Sequence, residues 1–185
     1  MGCERMNIDI VKTEKRYCAL FIDEENIRIW LNNKRGMSLT KTILDYLDIE
    51  KLRQYFTQKG WILTIARCYI DPKFSGFSRI YEGLYKYGIQ IVPIRIFKHT
   101  AGSSKSLLDP TLIVDCLSAA YEQQHIEVFI IVSGDKDYFP LALKLKEMGR
   151  EVVFIGPPDY TAEIIKDEKT FPYIDITRFI SSFLR

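Results

Sequence analysis

The stretch Val128-Phe129-Ile130-Ile131-Val132-Ser133-Gly134-Asp135-Lys136-Asp137 decides how the rest of the chain is read. Its apolar, mostly β-branched residues stop abruptly at Ser-Gly-Asp-Lys-Asp, and the amphipathic run Tyr138 to Met148 follows at once. A short continuous apolar run of this kind predicts a buried parallel strand that delivers its polar end to the edge of a sheet. One acid there has an ordinary explanation: Asp135 or Asp137 caps the next helix, accepting a backbone N–H at the positive end of the dipole. A cap needs one carboxylate, and the second asks for another use.

Outward from this stretch the pattern repeats. Tyr17 to Ile22 is a strand that runs into Asp23-Glu24-Glu25-Asn26, and Trp61 to Ile70 is a strand that ends at Asp71. Ile89 to Phe97 contains Pro93, which has no N–H for a ladder and predicts an edge strand or a bulge. Glu151 to Ile155 is a fifth strand, broken by Gly156-Pro157-Pro158. Helical spacing falls between them: a short helix at Ile27 to Leu31, then Ile49 to Gln58 stopped by Gly60, and Phe77 to Tyr85 stopped by Gly88. Asp109-Pro110 reads as an N-cap and first helical position, opening a helix to about Glu122. Lys98 to Lys105 reads as loop, and the tail from Tyr160 offers a short helix, a short strand near Tyr173-Ile174 and a final amphipathic helix.

Strands alternating with helices predict an α/β fold: a three-layer, Rossmann-like, mostly parallel sheet of about five strands flanked by helices. In the doubly wound order 3-2-1-4-5 the first and fourth strands meet at the switch point. Asp23 and Asp135 are then neighbours at the carboxyl ends, where such sheets bind ligands.

With 185 residues and 47% hydrophobic composition the chain suits one domain, read as a polar arm over residues 1–16 and a single domain over 17–185. No apolar run approaches the length of a membrane span, so no membrane is expected. Glu4, Arg5, Asn7 and Asp9 interrupt the start, which does not match a secretory leader, and Met6 stands where a myristoylation motif takes Ser or Thr. The four cysteines form no CxxC pair and His99 and His125 are the only histidines, so zinc has few ligands and a reducing, cytoplasmic setting is expected.

Asp115 interrupts the otherwise apolar helix Thr111 to Ala120. Together with Asp23 and Asp135, and with Asp109 and Asp137 nearby, it would form a pocket of like charges. At a separation of about 5 Å and a dielectric between 80 and 20, each pair repels by roughly 1 to 3 kcal/mol. A divalent cation relieves this, and oxygen-only ligands favour Mg²⁺ or Mn²⁺, whose natural use is phosphoryl chemistry. With those five acids set aside from the 24, the remaining chain carries 26 basic against 19 acidic residues, a balance suited to a polyanion.

These residues resemble the NYN domains of the PIN-like nuclease superfamily, in particular the bacterial LabA-like branch. The resemblance rests on Phe21-Ile22-Asp23-Glu24-Glu25-Asn26-Ile27, on Lys105 with Asp109 and Asp115, and on Ser133-Gly134-Asp135-Lys136-Asp137-Tyr138-Phe139. Two departures are Glu24, where the family usually has Gly, and one extra residue between Lys105 and Asp109. The resemblance implies a metal-dependent endoribonuclease. Asp23, Asp115 and Asp135, with Asp109, would hold Mg²⁺ or Mn²⁺; Asp137 would assist, and Asn26 and Ser133 would orient ligands or a phosphate. Lys98, His99, Lys105 and Lys136 would meet the backbone of single-stranded RNA, with Tyr69, Phe74 and Phe77 as stacking faces. Two alternatives stand beside it: a non-catalytic NYN module that binds RNA or protein, and a haloacid-dehalogenase-like phosphatase, whose Asp-x-Asp motif Asp23-Glu24-Glu25 does not supply.

Overall fold

The computed structural model describes residues 14–35, 43–73, 77–94, 96–98, 104–167 and 169–180, with the backbone alone at 34, 35, 96–98, 104 and 105. Along the chain the elements are β1 (Arg16–Asp23), α1 (Glu24–Arg35), α2 (Ile49–Gln58), β2 (Trp61–Ile70), α3 (Phe77–Tyr85), β3 (Gln90–Pro93), β4 (Ile96–Lys98), β5 (Ser104–Ser106), α4 (Leu108–Glu122), β6 (Ile126–Val132), α5 (Phe139–Glu147), β7 (Glu151–Gly156), α6 (Glu163–Lys166) and β8 (Tyr173–Asp175). Short 3-10 turns occupy Ile43–Asp45, Lys136–Tyr138 and Ile176–Phe179.

Six strands form one parallel sheet in the order β3-β2-β1-β6-β7-β8. The doubly wound order is therefore present, with β8 as one strand beyond the expected five. Ile22 lies opposite Val132, so β1 and β6 end side by side, and Asp23 lies opposite Tyr69 of β2.

Both faces of the central strands are buried, which is why they read as continuous apolar runs rather than alternating ones. Cys18, Leu20 and Ile22 pack beneath α1, α2 and α3 through Ile27, Leu52 and Leu84. Ala19, Phe21, Phe129 and Ile131 pack against α4 and α5 through Leu112, Cys116 and Leu145. Each such side chain taken fully out of water contributes roughly 1.5 to 3 kcal/mol, so the two half-cores rigidify the strand ends that carry the acids. The predicted helix stops Gly60 and Gly88 have φ of 74° and 73°, left-handed values that other residues resist.

Several local readings are corrected. The third strand stops at Pro93, after which the Ile94 N–H donates to Ile70 O at 2.9 Å and the chain leaves the sheet. The predicted loop after Phe97 holds half of an antiparallel hairpin, with Lys98 opposite Ser104. Helix α1 begins at once at Glu24 and runs past Leu31, because Asp23 Oδ1 accepts the Asn26 N–H and starts it. Helix α4 begins before Asp109: Leu107 holds the cap position without a side-chain bond, and Ser106 Oγ accepts the Leu108 N–H. In place of a final helix, Asp175 caps the turn Ile176–Phe179 and Ile180 bridges to Leu47; residues 181–185 lie outside the described ones. Arg16, assigned to the polar arm, is already in β1, where its guanidinium meets Glu127 and Glu151.

Cys18, Cys68 and Cys116 are buried free thiols, and burial pushes Cys18 up to about 12. Among the described residues no helix is long and apolar enough to cross a membrane.

Candidate functional site

Strand β1 delivers Asp23 to the carboxyl edge of the sheet only 3% exposed. Its Oδ1 accepts the Asn26 N–H at 3.0 Å, and its Oδ2 accepts Ser133 Oγ–H at 3.2 Å and Tyr138 Oη–H at 3.1 Å. Burial pushes this carboxyl up to about 7 and the charge of Asp109 adds to the push, against the hydrogen bonds from Asn26, Tyr138 and Ser133. Tyr138 Oη also lies 2.7 Å from Asp109 Oδ1. A single phenolic proton thus serves two carboxylates. Burial and those two charges hold the phenol far above its ordinary range, so it stays a donor.

The turn after β6 is stitched to the turn after β1. Asn26 Oδ1 accepts the Gly134 N–H at 2.9 Å, and Ser133 Oγ accepts the Asp135 N–H at 3.2 Å. Gly134 has no room for a side chain, because a Cβ there would stand 2.8 Å from Thr161 Oγ1 and 2.9 Å from Thr161 Cα. Asp135 Oδ1 accepts the Asp137 N–H at 3.0 Å, which makes Asp135 the cap of the 3-10 turn. Asp137, the other candidate cap, is exposed and its carboxylate accepts no hydrogen bond among the described residues. Lys136 is exposed beside it.

Asp115 has different company. Its carboxylate accepts Tyr69 Oη–H at 2.8 Å and pairs with the Arg67 guanidinium at 3.1 Å, both ionic side chains about a quarter exposed. The expected five-acid pocket is therefore divided: Asp23 and Asp109 meet on Tyr138, Asp115 is neutralised from β2, and Asp135 and Asp137 stand in the turn above. Among the described residues no three His, Cys, Asp or Glu side chains converge as a metal cage. The Asp23–Asp109 pair offers a hard divalent ion the donors such an ion takes, carboxylate oxygens alone, and an ion there would offset the like-charge cost of ionising both.

Glu24 is buried and turns along α1 to Arg28, whose Nε donates to Oε2 at 3.1 Å, while Oε1 has no hydrogen-bond partner among the described residues. Burial raises this carboxyl to about 7. Tyr69 is fully buried, so it cannot be a stacking face; it is a hydrogen-bond donor to Asp115 instead. Phe77 lies on α3. The backbones of Lys98 and Lys105 lie on the β4–β5 hairpin, their side chains outside the described ones together with His99 and Phe74. Sequence reasoning did not single out Arg67 or Tyr138. Tyr138 had a signal, standing where the family motif takes Phe, and Arg67 lies two residues before Tyr69 on one face of β2.

Residues 17–177 match the NYN domain family. The chain belongs to that family. NYN domains lie within the PIN-like nuclease superfamily, a group of generally divalent-metal-dependent nucleases, and the membership removes the dehalogenase-like alternative. A crystal structure of a protein of unknown function from Vibrio parahaemolyticus RIMD 2210633 is similar to this NYN domain, with a TM-score of 0.70 at 19% identity over 90% of this chain and 97% of that one. At that identity the likeness shows a shared fold. No curated protein matches the chain.

Proposed function

We propose that this NYN domain is a cytoplasmic, metal-dependent endoribonuclease of the LabA-like kind that hydrolyses phosphodiester bonds in single-stranded RNA. One observation supports the reading above the others: a nearly fully buried carboxylate, Asp23, ends β1 at the switch point and shares one hydroxyl with a second carboxylate, Asp109. Structural roles do not ask for such a pair, because two like charges across one proton cost stability.

Asp23 and Asp109 would hold Mg²⁺ or Mn²⁺, which when bound supplies Lewis acidity toward a phosphate oxygen and an activated water. Asn26 and Ser133 keep the two strand-end turns together and aim Asp23. Asp137, exposed and without a hydrogen bond among the described residues, would take the proton of the attacking water. Arg67, held by Asp115, offers a cation to the charge that grows on the phosphate oxygens. Lys136, with Lys98 and Lys105 of the hairpin, would meet the RNA backbone.

A non-catalytic RNA-binding module is the second reading, favoured by the engagement of Asp115 with Arg67. Incubation of labelled single-stranded RNA with Mn²⁺ separates them. Cleavage by wild type that EDTA and Asp23→Asn both abolish supports the nuclease. Equal cleavage by wild type and variant removes it, and RNA binding with no cleavage favours the module.

A further inference from the structure

Helix α3 carries Phe77, Tyr81 and Tyr85 four residues apart, so three rings stand on one helical face. The centroids are 6.3 Å apart between Phe77 and Tyr81 and 6.2 Å apart between Tyr81 and Tyr85, the second pair within 10° of parallel. Ile80 and Leu84 take the buried side of the helix, while Tyr81 is 49% and Tyr85 72% exposed. Contact between neighbouring rings steadies a helix, but it leaves the outer ring faces unused.

Beside this ladder lies the open edge of the sheet. β3 pairs with β2 on one side, and among the described strands nothing pairs with its other side. A cleft between α3 and β3 is lined by Tyr81, Tyr85, Lys86 and Gln90 with Ile89 and Ile91 beneath them, and it adjoins a second cleft past Arg53 and Thr64 that shares Lys86 and Gly88. Neither cleft is lined by a carboxylate. Lys86 Nζ stands 5.0 Å over the Tyr87 ring, and Arg53 donates to Tyr87 O at 3.1 Å, so both cations are held at the cleft. Flat aromatic faces and held cations complement a polyanion whose units carry stackable rings, while Glu50 lines an adjoining cleft with the same Arg53 and Lys86.

A strand running from this cleft to Asp23 would pass round the β3 edge, since α3 and α4 cover opposite faces of the sheet. Gln90 is level with Arg67, and Arg67 is level with Phe21, two residues before Asp23. The edge is thus two strand spacings, about 10 Å, to the side and about 7 Å below the end of β1.

We infer that the α3–β3 cleft holds the single-stranded flank of an RNA substrate, with Tyr81 and Tyr85 stacking on bases and Lys86 and Arg53 meeting phosphates. This rests on the ribonuclease reading and adds to it where the strand runs once it leaves the cleavage site. RNA is favoured over a protein partner because two held cations, Lys86 and Arg53, stand beside exposed ring faces, although Ile89 and Ile91 line the floor of the cleft.

The test is fluorescence anisotropy of a labelled twelve-nucleotide oligouridylate in EDTA, where binding is read without cleavage. Tyr81→Leu and Tyr85→Leu are each expected to weaken binding by about five- to one-hundredfold. Lys86→Gln is expected to lower the salt slope by about 0.7. Tyr85→Leu and Lys86→Gln are expected to melt close to wild type because both side chains are exposed, and Tyr81→Leu somewhat lower because its ring also packs on Phe77, so a loss of binding shared by all three is read at the cleft rather than from unfolding. If the variants bind RNA like wild type while Asp23→Asn still abolishes cleavage, the cleft inference falls and the nuclease stands. If wild type neither binds nor cleaves RNA, the ribonuclease reading fails and takes this inference with it. Unchanged RNA binding with a shift from dimer to monomer in sedimentation would make the ladder a self-association face, overturning the inference.

Discussion

Tyr138 Oη lies 2.7 Å from Asp109 Oδ1, and the same oxygen lies 3.1 Å from Asp23 Oδ2. A neutral hydroxyl thus bridges the two acids proposed to share a cation. Removing that hydroxyl separates its two effects. Tyr138→Phe is expected to destabilise the metal-free protein at pH 8 by roughly 1 to 3 kcal/mol, because two partly desolvated carboxylates lose their donor. The rise in melting temperature on adding Mn²⁺ is expected to be larger than in wild type, since the ion then becomes the main source of neutralisation. Thermal melts with and without Mn²⁺ check both, and a smaller metal response would show the hydroxyl to be a support of the ion rather than its rival.

Asp23 and Glu24 set a pH dependence of definite sign. Burial raises both carboxyls to about 7 from the usual range near 4, so the folded state binds their protons more tightly than the unfolded chain does. Stability from these groups is full below about pH 4 and is lost as pH rises through about 7. In EDTA, urea unfolding is expected to give a protein less stable at pH 8 than at pH 5 by on the order of a few kcal/mol. Asp23→Asn is expected to flatten the Asp23 share of that loss, and saturating Mg²⁺ to reduce it, because the ion binds the anion.

The Arg67–Asp115 pair is partly exposed, and pairs of that kind contribute roughly 0 to 1 kcal/mol to stability. Arg67→Gln is therefore expected to move the melting temperature by less than about 3 °C. RNA cleavage in the same variant is expected to fall by about tenfold or more, from loss of charge stabilisation at the phosphate. A large fall in melting temperature together with full cleavage would assign the pair to the scaffold.

Asp135 and Asp137 separate in the same assay. Asp135→Ala loses the cap on the Asp137 N–H and is expected to destabilise by about 1 kcal/mol. Asp137→Ala is expected to leave stability within about 0.5 kcal/mol of wild type. As the proposed base, it is expected to slow cleavage by about a hundredfold or more. Circular-dichroism melts and single-turnover cleavage read the two quantities independently.

The order of the sheet was legible because each central strand is buried on both faces and each parallel neighbour needs a helical crossover. Those two constraints point to a doubly wound sheet, and in its common order the ends of β1 and β6 are neighbours. The edge was less legible. Pro93 announced that β3 would end or bulge, but nothing local showed that the chain would return through Lys98 and Ser104 as a hairpin. Asp109 misled for a related reason: Asp-Pro favours a helix start, yet Ser106 took the first N–H and left the Asp109 carboxylate to Tyr138.

From its residues alone this protein had its fold, its family resemblance and the strand ends that carry acids, because burial and periodicity are properties of short stretches. Which group each acid faces was decided only in three dimensions. Asp23 and Tyr138 are 115 positions apart and Tyr69 and Asp115 are 46 apart, and no local propensity acts over such separations. Packing of α4 and α5 on one face of the sheet brought a phenol between two carboxylates and set an arginine on the third. That placement turned an expected cluster of five acids into one buried pair, one ion pair and one capped turn.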